Sequence, residues 1–324
     1  MHARPLPDTA VLPSPADLFG GLPIQQIRCR VALPSDAKLP PFAGSAWRGL
    51  IGWELQRLVC PFDRRPACTA CTIQNHCPYF LLLEKKSDMA GLRESPKGYV
   101  FHSPFDVQGA SERELHITLF GSCTRFLPVV AKAVFRAGRS GIGAGRWPYE
   151  VVSWEEVGPD QTRVSLPLDP EGYQEARGPF PLGDWLRSAS EPDEIERVRF
   201  ATPVRLRRQG NYLNRMDWPF FFGSLVRRLE ALHCIFNEGD LLGKDRWLAL
   251  QAGFSKINGI TDRLRWYDLK RYSNRQRRKV PMGGLFGDVD LSDSPAWLGE
   301  WWRAAAVVHV GKGAAMGLGK VYIV

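Results

Sequence analysis

The chain has 324 residues, enough for two ordinary domains, and its apolar content of 44% and charged content of 24% are those of a globular protein. No run of about 18 apolar residues occurs, so the sequence predicts no transmembrane helix. The proline-rich first 21 residues lack the apolar stretch of a secretory signal. We therefore expect a cytoplasmic protein without a membrane partner, whose residues 1–21 form a flexible arm.

The net charge of +9 is unevenly distributed. Between Glu155 and Glu196 there are eleven acidic residues and three arginines, so the rest of the chain holds 40 basic against 23 acidic side chains. Such a surplus suits a polyanion, because each neutralised phosphate releases counterions. From charge alone, a basic protein that binds no nucleic acid is as good an interpretation as a nucleic-acid-binding protein.

Two similar halves follow from hydrophobic periodicity. In the first half, strands are predicted at 24–33, 98–102, 114–120 and 149–154, and helices at 44–59 and 128–137. In the second half, strands are predicted at 197–206, 284–289 and 321–324, a basic segment at 264–272, and helices at 218–237 and 296–308. Each half has the order β-α-β-β-α-β, so the fold class is α+β with two tandem ferredoxin-like (RRM-like) domains.

The predicted domains are 22–155, with a cysteine-bearing insertion at 60–96, and 197–324, with a glycine-rich loop. The acidic, proline-containing stretch 156–196 between them is predicted to be a linker or insertion.

A glycine-rich loop precedes the last strand and is a candidate phosphate site. Glycines let the backbone approach a ligand, and consecutive N–H groups can hold phosphate oxygens. The alternative is a tight turn between helix and strand. The candidate RNA-binding residues of this loop are Gly311, Gly313, Gly317, Gly319, Lys312 and Lys320.

Two basic segments add further candidates, because arginine and lysine bind phosphates while aromatic rings stack on unpaired bases. The segment that contains Arg271 could instead be a solvated basic strand whose aromatic residues belong to the core. The candidates in the first segment are Arg205, Arg207 and Arg208. Those in the second are Arg271, Tyr272, Arg275, Arg277, Arg278 and Lys279.

Four clustered cysteines, Cys60, Cys68, Cys71 and Cys77, could supply a tetrahedral structural zinc site, with His76 as a substitute ligand. An iron–sulfur cluster is the second option, and reduced cysteines without a metal are the third. If a metal cluster is present, it could itself be the functional centre.

No nucleophilic triad or paired carboxylate motif occurs. Among the histidines in predicted elements, His116 and His233 are interpreted as structural. His309 directly precedes the glycine-rich loop and is the better functional candidate.

Several stretches together resemble the repeat-processing endoribonucleases of CRISPR systems, members of the RAMP superfamily. They span nearly the whole chain in order: 39–49 (LPPFAGSAWRG), 77–80 (CPYF), 202–206 (TPVRL), 271–276 (RYSNRQ), 283–287 (GGLFG), 309–313 (HVGKG) and 317–319 (GLG).

The resemblance implies two ferredoxin-like domains facing a basic cleft, and a stem-loop CRISPR repeat RNA as substrate. It also implies metal-independent cleavage, in which the ribose 2′-OH attacks the adjacent phosphate and leaves a 2′,3′-cyclic phosphate and a 5′-OH. The product would stay bound in a complex with other CRISPR effector subunits. A non-catalytic RAMP subunit that only holds guide RNA is the alternative.

The sequence departs from this family in one respect. Many members place a catalytic histidine near the first helix, whereas residues 24–59 contain arginines, Lys38 and no histidine. Some relatives in type IV systems rely on arginines, so the resemblance extends to that variety. We hypothesise that Arg28 and Arg48 act at the scissile phosphate with His309 as acid or base, and that Lys38 binds RNA. Helix capping or RNA positioning is the alternative for Arg48.

Overall fold

Two antiparallel β-sheets, each covered by helices on one face, form the framework of the protein. The computed structural model describes residues 12–62, 66–86, 95–105, 111–169, 176–187, 194–273 and 278–324. Within these residues, no helix is both long and apolar enough to cross a bilayer.

The first sheet has the strand order β2-β3-β1-β4-β5, and β6 also pairs with β1. Its strands are β1 (Pro23–Ala32), β2 (Tyr99–His102), β3 (Glu112–Phe120), β4 (Glu150–Val157), β5 (Arg163–Ser165) and β6 (Phe180–Pro181). The accompanying helices are α1 (Pro15–Phe19), α2 (Gly44–Val59), α3 (Leu127–Ser140) and α4 (Leu182–Leu186). Along β1, Ile27 and Cys29 are buried, while Arg28 between them points to the opposite face.

The second sheet has the order β10-β14-β7-β15, and β11 also pairs with β14. Its strands are β7 (Arg197–Val204), β10 (Thr261–Asp262), β11 (Arg265–Tyr267), β14 (Gly284–Asp290) and β15 (Val321–Ile323). Two hairpins stand apart from it, β8 (Arg207–Arg208) with β9 (Asn211–Tyr212), and β12 (Lys270–Ser273) with β13 (Arg278–Pro281). Its helices are α5 (Trp218–Phe236), α6 (Lys244–Ser255) and α7 (Leu298–Val308).

Both sheets show the 4-1-3-2 strand order of a βαββαβ unit, with β1 and β7 as the respective first strands. The predicted α+β fold with two tandem ferredoxin-like domains is therefore confirmed.

Several elements were not predicted from the sequence, and for two of them the reason is physical. Helix α6 buries only Leu250, Gly253 and Phe254, so its hydrophobic periodicity is weak. Half of the strand residues in the β12–β13 hairpin are charged, which hides the alternation expected of a strand.

The acidic segment between the halves contacts both of them. Strand β6 pairs with β1, and α4 packs against α7. Glu156 is fully buried and accepts hydrogen bonds from the backbone N–H groups of Arg177 (2.8 Å) and Gly178 (2.7 Å). One apolar core runs through both halves, and the domain boundaries predicted from sequence stay a prediction.

Candidate nucleic-acid interface

The glycine-rich loop joins α7 to β15 and packs against the first domain. Four of its glycines have a positive φ between 68° and 92°: Gly311, Gly313, Gly317 and Gly319. Residues with a Cβ rarely adopt this conformation. Helix α2 begins against the loop, since a Cβ on Gly44 would strike the carbonyl oxygen of Met316. The glycines thus allow the turn to form and the first domain to approach it.

Several backbone N–H groups of this loop already have acceptors within the protein. Lys312 N donates to the carbonyl of Arg205 at 2.9 Å, and Gly319 N donates to that of Pro203 at 3.1 Å. The amides of Met316, Gly317 and Leu318 bond to carbonyls of the loop itself. The loop therefore offers a phosphate fewer N–H groups than its sequence suggests. RNA contact by its glycines stays a prediction.

Arg28 lies on the helix-free face of the first sheet, between two carboxylates. Its guanidinium is hydrogen-bonded to Glu114 and lies 3.7 Å from Glu155 Oε2. Hydrogen bonds from His116 and then Arg28 lower the pKa of Glu114 to about 2, so this carboxylate is charged at neutral pH. The positive charge of Arg28 is thus already balanced within the protein.

Arg48 belongs to the other face of the same sheet. Its Nε donates to the hydroxyl of Tyr99 at 3.3 Å. The strand register places Tyr99 on the helix-covered face together with Ile27, opposite to Arg28. The structure does not bring Arg28 and Arg48 together, so the two cannot share one phosphate as the sequence-based hypothesis required.

Arg271 of the second domain lies close enough to both Arg48 and Arg205 for their charges to act on it. Arg205, at the end of β7, is 6% exposed, and Arg271 on β12 is half-buried. Burial, and then the charges of Arg48 and Arg205, lower the pKa of Arg271. Among the described residues, no carboxylate oxygen lies within 4.0 Å of these three guanidinium groups. We call Arg48, Arg205 and Arg271 the arginine cluster.

Hydrogen bonding within the arginine cluster is incomplete. The Nε atoms of Arg205 and Arg271 are buried without a hydrogen-bond partner. The guanidinium of Arg205 lies over the ring of Tyr212, 4.4 Å from its centroid. A buried cation without a counter-ion is costly, so this arrangement favours an anion from outside the chain.

Basic hairpins flank the cluster. In β8, Arg207 Nε donates to the carbonyl of Gly210 at 2.7 Å, and Arg208 forms a 2.7 Å ion pair with Asp217. Strand β11 exposes two aromatic side chains, Trp266 (41%) and Tyr267 (36%). Exposed rings among cations are typical of surfaces that bind unpaired nucleotides.

The other RNA-binding candidates lie in several places. Lys38, Arg278 and Lys279 are exposed, and Lys312 is half-buried in the glycine-rich loop. Lys320 Nζ donates to the carbonyl of Ala306 at 2.8 Å. Arg275, Arg277 and the side chain of Tyr272 lie outside the described residues.

His309 is 3% exposed, and its Nδ1 lies 3.3 Å from the carbonyl oxygen of Leu318. Burial, followed by the charges of Lys320 and His102, holds the pKa of His309 well below its usual range. The ring supports the glycine-rich loop from inside. It could reach RNA only after a rearrangement, so its predicted catalytic role has no geometric support.

Sequence analysis assigned no role to the contact that His309 makes with the first domain. Its ring centroid lies 5.4 Å from that of His102 on β2, which is itself buried. Nε2 of His102 lies 3.3 Å from the hydroxyl of Tyr322 on β15. We call His102, His309 and Tyr322 the histidine junction, because these rings join the two domains.

Lys97 is a further cation that sequence analysis missed. It is half-buried ahead of β2, and its Nζ donates to the carbonyl of Lys85 at 3.0 Å. Burial lowers its pKa, and the charge of Arg48 adds to that effect although Glu84 opposes it. The only signal in the sequence is a lysine just before a strand, which is too common to single it out.

The four predicted cysteine ligands, Cys60, Cys68, Cys71 and Cys77, line one open pocket as free thiols. Burial, followed by the charge of Glu84 and the neighbouring cysteines, raises the pKa of the Cys68 thiol. Among the described residues, no three Cys, His, Asp or Glu side chains are placed to hold a metal ion. The structure therefore does not support the predicted zinc site.

Family models match both halves of the chain. Residues 198–321, which include Arg205, Arg271 and the glycine-rich loop, match the family model described as CRISPR-associated endoribonuclease Cas6. The second half of the chain is thus similar to the Cas6 family. The match bears out, for this half, the predicted resemblance to RAMP-type, RNA-binding CRISPR endoribonucleases, and it does not show the type IV variety. A model described as an N-terminal domain matches residues 22–175.

An uncharacterized protein of Archaeoglobus fulgidus is 30% identical over 135 residues, which are 41% of this chain and 46% of that protein. The match thus spans less than half of the length of this relative.

Solved Cas6 structures share the fold. Thermus thermophilus Cas6 aligns with 93% of this chain and 98% of its own length, with a TM-score of 0.53 and 15% identity. The same protein in a product complex gives a TM-score of 0.57 over 93% of this chain and 99% of that one. A chain from a partial Cas6-RT-Cas1–Cas2 complex covers 94% of this chain, with 46% of its own length, a TM-score of 0.53 and 12% identity.

Proposed function

We propose that this protein binds the stem-loop of a CRISPR repeat RNA and cleaves the precursor transcript into mature guide RNA. The observation that carries this proposal is the set of cations and exposed rings in the second domain: the β8–β9 hairpin follows Arg205, the β12–β13 hairpin contains Arg271, and β11 exposes Trp266 and Tyr267. Cations bind the phosphate backbone and aromatic rings stack on bases that have left the helix. The Cas6 match of residues 198–321 supports the same substrate class.

The proposed reaction is metal-independent transesterification. The 2′-oxygen loses its proton and bonds to the adjacent phosphorus, the bond from phosphorus to the 5′-oxygen breaks, and that oxygen takes up a proton. The products are a 2′,3′-cyclic phosphate and a 5′-OH. Guanidinium groups stabilise the charge that develops on the phosphorane oxygens.

Retention of the product within a CRISPR effector complex is part of the proposal, as the sequence-based resemblance implies. The proposal also includes the type IV variety, because residues 24–59 contain no histidine.

A cleavage assay tests this function. End-labelled repeat RNA from the host's own CRISPR array is incubated with the protein in EDTA, and the products are resolved on a denaturing gel. We expect one cut per repeat, a cyclic phosphate end, and no cut when the nucleotide before the cleavage site carries 2′-deoxyribose. DNA of the same sequence should stay intact.

Two results would contradict the proposal. Cleavage that needs a divalent metal would exclude transesterification driven by side chains alone. Tight and specific binding without any cut would identify the protein as a RAMP subunit that only holds guide RNA.

A further inference from the structure

The arginine cluster differs from Arg28 and Arg199 in its lack of ion pairs. Arg28 is paired with Glu114 and Glu155, while Arg199 forms a 2.6 Å ion pair with Asp288. Arg48, Arg205 and Arg271 carry no such pair among the described residues. Three guanidinium groups without an ion pair are therefore brought together at this position, with Glu84 acting on Arg48 only from a distance greater than that of an ion pair.

The three members come from distant parts of the chain and from both domains. Arg48 lies on α2, Arg205 follows β7 and Arg271 lies on β12. The glycine-rich loop contacts residues of both domains at this position. Gly44 of α2 packs on the carbonyl of Met316, and the amide of Lys312 bonds to the carbonyl of Arg205. The cluster exists only when the two domains are docked.

Two of the guanidinium groups are held in place before any ligand arrives. The Nε atom of Arg48 donates to Tyr99, while its terminal nitrogens have no hydrogen bond to any part of the chain that the structure describes. The ring of Tyr212 supports one face of Arg205. Held guanidinium groups suit the bidentate recognition of phosphate oxygens, since little rotamer freedom is lost on binding.

We propose that the arginine cluster binds the scissile phosphodiester of the RNA, with Arg205 and Arg271 of the second domain acting on the same phosphate as Arg48 of the first. This inference rests on the proposed function and deepens it. Arg28, neutralised by its carboxylates on the opposite face of the sheet, takes no part in this site. Because the site spans both domains, the bound phosphate joins them.

The test combines cleavage with binding. Single-turnover cleavage of repeat RNA is measured for Arg48→Gln, Arg205→Gln, Arg271→Gln and the matched control Arg199→Gln, each checked for folding by thermal unfolding. Loss of one donor to a transition-state oxyanion costs about 100-fold or more in rate. We expect that loss in each cluster variant and less than about a threefold change in the control, whose exposed ion pair contributes little. Lysine at the same positions should restore the rate only in part, because the charge returns without the planar fork.

The binding arm uses uncleavable RNA that carries 2′-deoxyribose before the cut and either a normal phosphate or a neutral methylphosphonate at the cut. In wild type the neutral linkage should weaken binding about tenfold, as expected for the loss of a charge-assisted contact. In each cluster variant the same change should have a smaller effect than in wild type, because one of the three partners of the phosphate is already gone.

Equal effects of the neutral linkage on wild type and variants would overturn the assignment, as would cluster variants that cut as fast as Arg199→Gln. If wild type binds repeat RNA but does not cut it, the nuclease function fails separately. The methylphosphonate is then moved along the RNA, and coupling of the cluster to one linkage supports a phosphate site, whereas coupling to none overturns it. Should Arg205→Gln fail to fold, Arg48→Gln and Arg271→Gln decide the outcome.

Discussion

The histidine junction should make the stability of this protein depend on pH. Burial is the main cause that holds the pKa values of His102 and His309 well below the usual 6.5, and the neighbouring cations Lys320 and Arg228 disfavour protonation further. Glu114 acts in the opposite direction on His102. In the unfolded chain both rings have ordinary pKa values. As the pH falls below about 6.5, the unfolded state binds protons that the native state does not bind, so the free energy of unfolding decreases.

The magnitude follows from proton linkage. Each histidine that stays neutral in the native state and is protonated in the unfolded state contributes a slope of about 1.4 kcal/mol per pH unit. His102 and His309 together therefore contribute about 2.7 kcal/mol per pH unit once the pH is well below 6.5. This is a large part of a total stability of about 5–15 kcal/mol. Above about pH 7 the contribution to the slope disappears.

Urea denaturation at pH 7.5, 6.5 and 5.5 measures this effect in wild type, in the double variant His102→Gln/His309→Gln and in His76→Gln, whose ring is exposed. Carboxylate titration is common to all three proteins and cancels in the comparison. We expect the double variant to lose most of the decrease in stability between pH 6.5 and 5.5, and His76→Gln to keep it. Equal slopes in wild type and the double variant would refute the reasoning, whatever their absolute stabilities.

Three further substitutions have expected outcomes. Gly319→Ala should cost about 1–3 kcal/mol in urea denaturation, because φ is 68° and the added Cβ would meet the carbonyl oxygen of Val310; an unchanged midpoint would contradict this. Glu156→Gln should cost about 1–3 kcal/mol in the same assay, since one of the two backbone N–H groups loses its acceptor oxygen; full stability would show that the buried charge is dispensable. The variant Cys68→Ser/Cys71→Ser should cleave RNA within about a factor of two of wild type, with elemental analysis of both proteins as the control. If wild type contains a metal and the variant loses both the metal and the activity, the cysteines form a functional centre after all.

Much of the fold could be predicted from local sequence. Trp47, Ile51 and Leu55 recur at helical spacing, and the structure places α2 over the predicted range Gly44–Val59. Helix α6 could not be predicted in this way, because it buries one small patch and shows little periodicity. The candidate site was predicted in part. Sequence analysis named Arg48 as catalytic, and it named Arg205 and Arg271 as RNA-binding residues without placing them in the same site.

The sequence by itself determined the two βαββαβ units, the excess of cations and the resemblance to CRISPR endoribonucleases, because periodicity, composition and motifs are properties of nearby residues. Tertiary structure alone decided which cations are paired with carboxylates. Arg28 is neutralised by Glu114, which lies 86 positions away in the chain, whereas Arg271 lies near Arg48 of the other domain, and neither forms an ion pair with a described residue. Burial and charge balance depend on residues brought together by folding, so no local pattern could have distinguished one arginine from another.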